Sequence, residues 1–254
     1  MILKLFAYRS LERKGFMEKY TYTIETTVSG TEDGKETYEV HKRIDTDGKA
    51  AVLIALYPTV SLLNPMTTDN STNYLMNHIN GIELAYNDIR IVNLYSSVCK
   101  RKPLAKQLVK SPENMEHIRQ IFDTIDRKNT DILIAWGSSL QSHKLTNQIK
   151  AEILGLIVEK GLVENTKHIV TDTLDTQKQL GTHCLWLGLR GNDAWYTVTY
   201  PVEKVLAELK NTKQEKTVKE VSHTEDEKKD GEQKREAGEK QKGRKKKEEK
   251  LIEE

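Results

Sequence analysis

Cysteine is scarce in this chain, and the scarcity narrows its setting. Cys99 and Cys184 are the only two in 254 residues. An extracellular chain of this length would more often rely on disulfides, so the expectation is a reducing compartment, read as cytoplasmic. Two cysteines are too few for a zinc ribbon, and His41, His78, His117, His143 and His168 show no metal-ligand spacing such as H-x-x-x-H. Neither a structural zinc nor any other cofactor is expected. Long apolar runs are also missing: no stretch approaches the ~20 apolar residues that cross a bilayer. The run within Met1–Ser10 is too short for a signal peptide and no small-residue cleavage site follows it. Secretion and a membrane partner are therefore not expected. The chain lacks G-x-x-x-x-G-K-[ST], G-x-G-x-x-G after a strand and the G-x-S-x-G elbow. P-loop NTPase, dinucleotide dehydrogenase and serine hydrolase are disfavoured accordingly.

A charge excess of one sign is absent too. The formal net charge is +2, and the segment 211–254 carries 14 Lys plus Arg against 13 Asp plus Glu, leaving 26 against 25 in residues 1–210. A dedicated duplex-binding domain usually shows a basic excess that displaces counterions from phosphates. From Asn211 onward there is no aromatic residue and almost no aliphatic one. Such a segment cannot bury enough apolar surface to offset the entropy of ordering, so a disordered charged tail is expected over 211–254. The cluster Lys240, Lys242, Arg244, Lys245, Lys246 and Lys247 within it has the charge to hold a polyanion, although a solubilising tail with transient helix is the preferred reading.

The remainder has a regular order. Tyr20–Val28 and Glu36–Ile44 alternate polar with apolar residues around Gly30 and Gly34, which predicts an antiparallel hairpin. Ala50–Leu56 is continuously apolar, as in a central strand buried on both faces. A helix is expected from Ser71, a strand over Ile89–Leu94, a helix from Ser111 to about Arg127 and a strand over Asp131–Trp136. A helix over about Ser142–Lys160 follows, then strand candidates at Lys167–Val170 and Cys184–Leu187. Ser111 caps its helix with Pro112 in the first turn and Glu113 against the macrodipole. Strands alternating with helices predict an α/β fold with three layers: a mainly parallel central sheet, helices on both faces and the hairpin added. The expected domains are a hairpin extension over 1–48 packed on an α/β domain over 49–210, with the tail over 211–254.

Ligands of open parallel sheets sit beyond the carboxyl ends of the strands, which directs attention to three places. One is Tyr57, Pro58 and Thr59, continuing through Asn64 to Asp69, Thr72 and Asn73; the others are Asn93 with Tyr95, and Trp136 with Gly137. Amide and hydroxyl groups beside aromatic faces are what a pocket needs to stack a planar base and read its edge. The same residues also serve as ordinary loop ties, core packing and, for Asp69 and Thr72, helix caps. His183 and Cys184 are unlikely partners, because neighbours on a strand point to opposite faces.

The segments Leu56–Thr59, Asp69–Thr72, Ile91–Tyr95, Glu113–Asn114, Ala135–Gly137 and Tyr200–Val202 resemble, in order, the motifs of the domain of unknown function 1643 family. These are L-N-P-S, D-x-T, an N-L-[FY] strand, an acidic helix start, W-G and a late segment with His before Pro. The cover is about residues 35 to 205. Tyr57 stands where the family has Asn, and Tyr200 where it has His, so an activity resting on either position is lost or altered here. The motif order is also similar, more distantly, to the uracil-DNA glycosylase superfamily. That resemblance implies Tyr57 or Asn64 with Asp69 near a water, Asn93 reading the base, and His183 or Tyr200 holding the leaving group. It implies a nucleic-acid partner, DNA in the first instance. A non-catalytic module binding a nucleotide, nucleic acid or protein on the same fold is the alternative, and a hydrolase or transferase acting on a small polar metabolite is a third reading.

Overall fold

From Ala50 onward the segment Lys49–Ala55 is apolar on both faces of its pleat, and in the computed structural model of the protein it lies mid-sheet with its side chains covered. The structure describes residues 2–9, 18–65, 67–79, 86–172, 180–190 and 194–211. In chain order these form β1 (Ile2–Arg9), β2 (Glu18–Gly30), β3 (Thr37–Ile44), β4 (Lys49–Ala55), α1 (Asn70–Ile79), β5 (Tyr86–Asn93), α2 (Pro112–Asp123), β6 (Thr130–Ile134), α3 (Lys144–Glu159), β7 (Thr166–Val170), α4 (Cys184–Gly188) and β8 (Tyr196–Thr199). The chain divides into two compact units, Met1–Leu206 and Ala207–Glu254. Of the second unit, residues 207–211 are described and are helical. The tail expected beyond them lies outside the described residues.

Among the described residues eight strands form one sheet in the order β1-β2-β3-β5-β4-β6-β7-β8. The β2–β3 hairpin is antiparallel, pairing Thr27 with His41 and Val28 with Val40. It is continuous with the sheet, since β3 pairs with β5. The four strands β5, β4, β6 and β7 are parallel. Outside them every pairing is antiparallel. The expectation of a mainly parallel sheet therefore holds for the centre and not for the flanks.

Helices pack on opposite faces. One face presents Val40, Leu53, Ile89, Ile91 and Leu133, which form a buried cluster with Leu75 of α1 and with Cys184 and Leu187 of α4. The other face presents Glu39 and Arg90, and α2 packs there through His117. Arg90 donates to both carboxylate oxygens of Glu39, at 2.6 and 3.1 Å, and His117 Nε2 lies 2.8 Å from Oε2. Burial opposes ionisation of Glu39, but the bonds from His117 and Arg90 outweigh it and hold the carboxyl at about 2.

Some elements differ from expectation. Helix α2 stops at Asp123 rather than near Arg127, because Thr124 turns out of the helix with its hydroxyl on the Ile121 carbonyl. Cys184–Leu187 is helical and not a strand: His183 caps it, its Nδ1 accepting from Leu185 N at 3.3 Å. Neither β1 nor β8 is among the strands expected from the sequence.

Candidate functional site

The carboxyl ends of β4 and β5 open into a cleft of about 220 Å3. Its floor is apolar, with Val40, Leu53, Ile91 and Ala135 from the sheet. Its rim is polar. The loop after β4 supplies Tyr57, Pro58 and Thr59, the start of α1 supplies Asp69 to Thr72, the end of β5 supplies Asn93, and the start of α4 supplies His183.

Asp69 holds the start of α1. Its Oδ1 accepts from Thr72 N at 2.7 Å, its carbonyl accepts from Asn73 N, and its Oδ2 accepts from the Thr59 hydroxyl. One carboxylate thus caps the helix and ties it to the loop after β4, which gives the D-x-x-T spacing a local physical meaning. The hairpin turn braces the same loop from outside. Thr37 donates its hydroxyl to the Val60 carbonyl at 2.7 Å and its amide to the Ser96 carbonyl at 2.8 Å, and Ser61 donates to the Gly34 carbonyl at 2.8 Å.

Asn93 ends β5 on the cleft face, in register with Ala55 of β4 and two residues beyond Ile91. It is 2% exposed, yet its side-chain amide makes no hydrogen bond to any described residue. Its backbone carbonyl, by contrast, is held by Asn114 Nδ2 at 2.9 Å. That bond explains why a polar residue at the start of α2 accompanies the N-L-Y segment. Lining the cleft, the amide offers a ligand there both a donor pair and an acceptor.

His183 faces the cleft as a neutral imidazole. Burial pushes its pKa down, with Asp69 opposing, and because Nδ1 accepts from Leu185 N the proton resides on Nε2. A hydrogen-bond donor without a charge results. Gly137 makes room for it: at φ +68 it donates its amide to the Gly181 carbonyl at 2.8 Å, and a Cβ there would lie 3.1 Å from His183 Cβ. Tyr57 is half-buried, and burial first, then Cys99 and Asp69, raises its hydroxyl above the ordinary range.

The remaining expected residues lie elsewhere. Asn64 and Asn73 are exposed and do not line the cleft. Tyr95 is fully buried, its hydroxyl 2.7 Å from Thr146 Oγ1. Trp136 and Tyr200 are buried against each other edge-to-face at 6.1 Å. These aromatics face packed interior: Trp136 alternates with cleft-lining Ala135, and Tyr95, beyond the end of β5, turns to Thr146 of α3. Ser71 and Leu185 line the cleft without having been singled out; Leu185 was assigned to a strand, and the helix is what turns it to the site. Lys150 was also missed. It sits behind the Trp136–Gly137 turn, Nζ 5.3 Å from the centre of the Trp136 ring and 3.4 Å from the Gly137 carbonyl oxygen, and burial lowers its pKa to about 8. Among the described residues no three His, Cys, Asp or Glu side chains gather as a metal ion requires. Nor does any helix of these residues have the length and apolarity to cross a membrane.

A mixed α/β sheet with a polar cleft at its parallel strand ends defines the class. The family model for Protein of unknown function (DUF1643) matches residues 38–183, more than half of the chain, and the protein belongs to that family. The match runs from β3 to His183 and so takes in most of the cleft. No curated protein and no solved structure matches the chain.

Proposed function

We propose that the cleft receives a nucleobase and that the protein is glycosylase-like, acting on the N-glycosidic bond that carries the base in nucleic acid. The observation that carries this reading is Asn93: an amide that makes no side-chain hydrogen bond to any described residue and lines a cleft whose volume suits a single planar base. His183 supports it, since a neutral imidazole can donate from Nε2 to charge developing on a departing base without itself being an acid at neutral pH. In this chemistry the bond between the sugar C1′ and the base nitrogen breaks and a water oxygen bonds to C1′. Asp69 orients that water, and the water's proton ends on the released base. The free thiols Cys99 and Cys184 fit a reducing, cytoplasmic setting.

A second reading is favoured by one specific feature. Both oxygens of Asp69 already accept hydrogen bonds, from Thr59 and Thr72, so the carboxylate is engaged as a cap. On that reading the cleft binds a base without cleaving. Incubation with single- and double-stranded DNAs carrying normal and modified bases separates the two. Released base and alkali-labile abasic sites, abolished in Asp69→Asn, establish the glycosylase; retention of the DNAs without either product establishes the binding module. A protein that neither cleaves nor retains any of them contradicts both.

A further inference from the structure

Helix α4 turns one face inward and leaves the opposite one bare. Cys184 and Leu187 are buried in the core. Gly188 abuts α1 so closely that a Cβ there would lie 2.0 Å from Tyr74 Cγ. Leu185 lines the cleft. With those positions fixed, helical spacing puts Leu189 one turn beyond Leu185 and sets Trp186 and Arg190 beside it. Trp186 is 58% and Leu189 64% exposed. The Arg190 guanidinium lies over the Trp186 ring, 5.6 Å from its centre, and pairs with no carboxylate among the described residues. An apolar and cationic platform therefore runs outward from the lip of the cleft.

We propose that Trp186, Leu189 and Arg190 dock the nucleotides flanking the base held in the cleft, so that the ligand is single-stranded nucleic acid and not a free base or nucleoside. The inference rests on the nucleobase reading of the cleft. An exposed indole offers a face on which any base stacks, and a guanidinium paired with no described carboxylate offers charge to the phosphate between two bases. A polyanion with π faces matches both features at once, whereas an apolar protein segment leaves the guanidinium without a counter-charge. Continuity decides the direction: Leu185 belongs to the cleft and Leu189 to the platform, so a strand with one base in the cleft passes over α4.

The test uses the full chain and exploits the fact that Trp136 and Trp195 are buried, leaving Trp186 as the exposed indole. A mixed-sequence single-stranded oligonucleotide and, separately, the matching nucleosides are titrated while tryptophan emission and ligand anisotropy are followed. The oligonucleotide should quench Trp186 emission. Trp186→Ala should weaken oligonucleotide binding roughly tenfold and leave nucleoside binding unchanged, and Trp186→Phe should restore most of the affinity without the emission signal. Trp186 contributes little to the core, and the melting curve of each variant checks the fold. Oligonucleotide binding that is unquenched and unaltered in Trp186→Ala overturns the proposal while leaving the cleft reading standing, as does an oligonucleotide that binds no tighter than its nucleosides. Nucleoside binding that survives Asn93→Ala sinks the cleft reading instead. Binding of neither ligand overturns both. Self-association that Trp186→Ala abolishes, with no effect on nucleic acid, assigns the platform to a second copy of the chain and overturns the proposal.

Discussion

Two buried polar side chains, Asn93 at the end of β5 and Lys150 of α3, behave in opposite ways. Asn93 is buried with its amide open to a cleft, so removing it takes away little that holds the fold. Lys150 is buried with one long contact to the Gly137 carbonyl and an indole face, and among the described residues no carboxylate compensates its charge. Burial brings its pKa from 10.5 to about 8. The sign follows directly. Below pH 8 the amine is charged in both states and the folded form bears the full cost of burying it. Between pH 8 and 10.5 the unfolded chain binds more protons, so stability rises with pH as that cost is relieved. Lys150→Met should therefore stabilise the protein at neutral pH by about 1–3 kcal/mol, with the gain shrinking toward pH ~10. Denaturant midpoints of both proteins across that range measure it. A destabilised Met variant at pH ~7 would mean that the contact with Gly137 outweighs the burial.

At the scale of elements, α4 decides how the cleft closes. Its five residues, Cys184–Gly188, read as apolar and short, and a short apolar run has no period that separates a strand from a helix. The deciding features lie outside the run. His183 caps it through Nδ1, and Gly188 lets the helix rest on the Tyr74 ring. Within a helix, Gly→Ala ordinarily stabilises by about 1 kcal/mol. At Gly188 the added methyl meets the ring, so Gly188→Ala should instead destabilise by about 1–3 kcal/mol. Because the same helix carries His183 and Leu185 into the cleft, ligand affinity should fall with it. Urea unfolding shows the first effect and titration the second. An alanine variant as stable as the parent would mean that α4 does not rest on α1 as described.

For the whole molecule, local pattern sufficed wherever burial alone set the structure. The continuous apolar runs around Val52–Ile54 and Ile132–Ile134 announce buried strands, and Ser111 with Pro112 and Glu113 announces the start of α2. Strand partners were less accessible, because pairing joins residues far apart in sequence: β3 pairs with β5 across β4 and α1. Nothing local in Glu36–Ile44 distinguishes a hairpin laid on a domain from one that extends its sheet. The site divides in the same manner. Strand ends pointed to Tyr57, Asp69 and Asn93, which do meet in the cleft, but direction along the chain could not tell Tyr95 or Trp136, which turn inward, from residues that turn to the ligand. Motif order brought in His183, and α4 gives that position its geometry.

The proposed role of Asn93, serving a nucleobase rather than the fold, is tested most directly by measuring the denaturant midpoint and the nucleoside affinity of one variant, Asn93→Ala, beside the parent. With its amide bonded to no described residue and lining the cleft, the substitution should change stability by less than about 1 kcal/mol. It should weaken binding at least tenfold, by about 1.4 kcal/mol or more, since both the donor pair and the acceptor are lost. An Asn93→Ala protein that is destabilised by about 1–3 kcal/mol but binds nucleosides as the parent does would contradict the account.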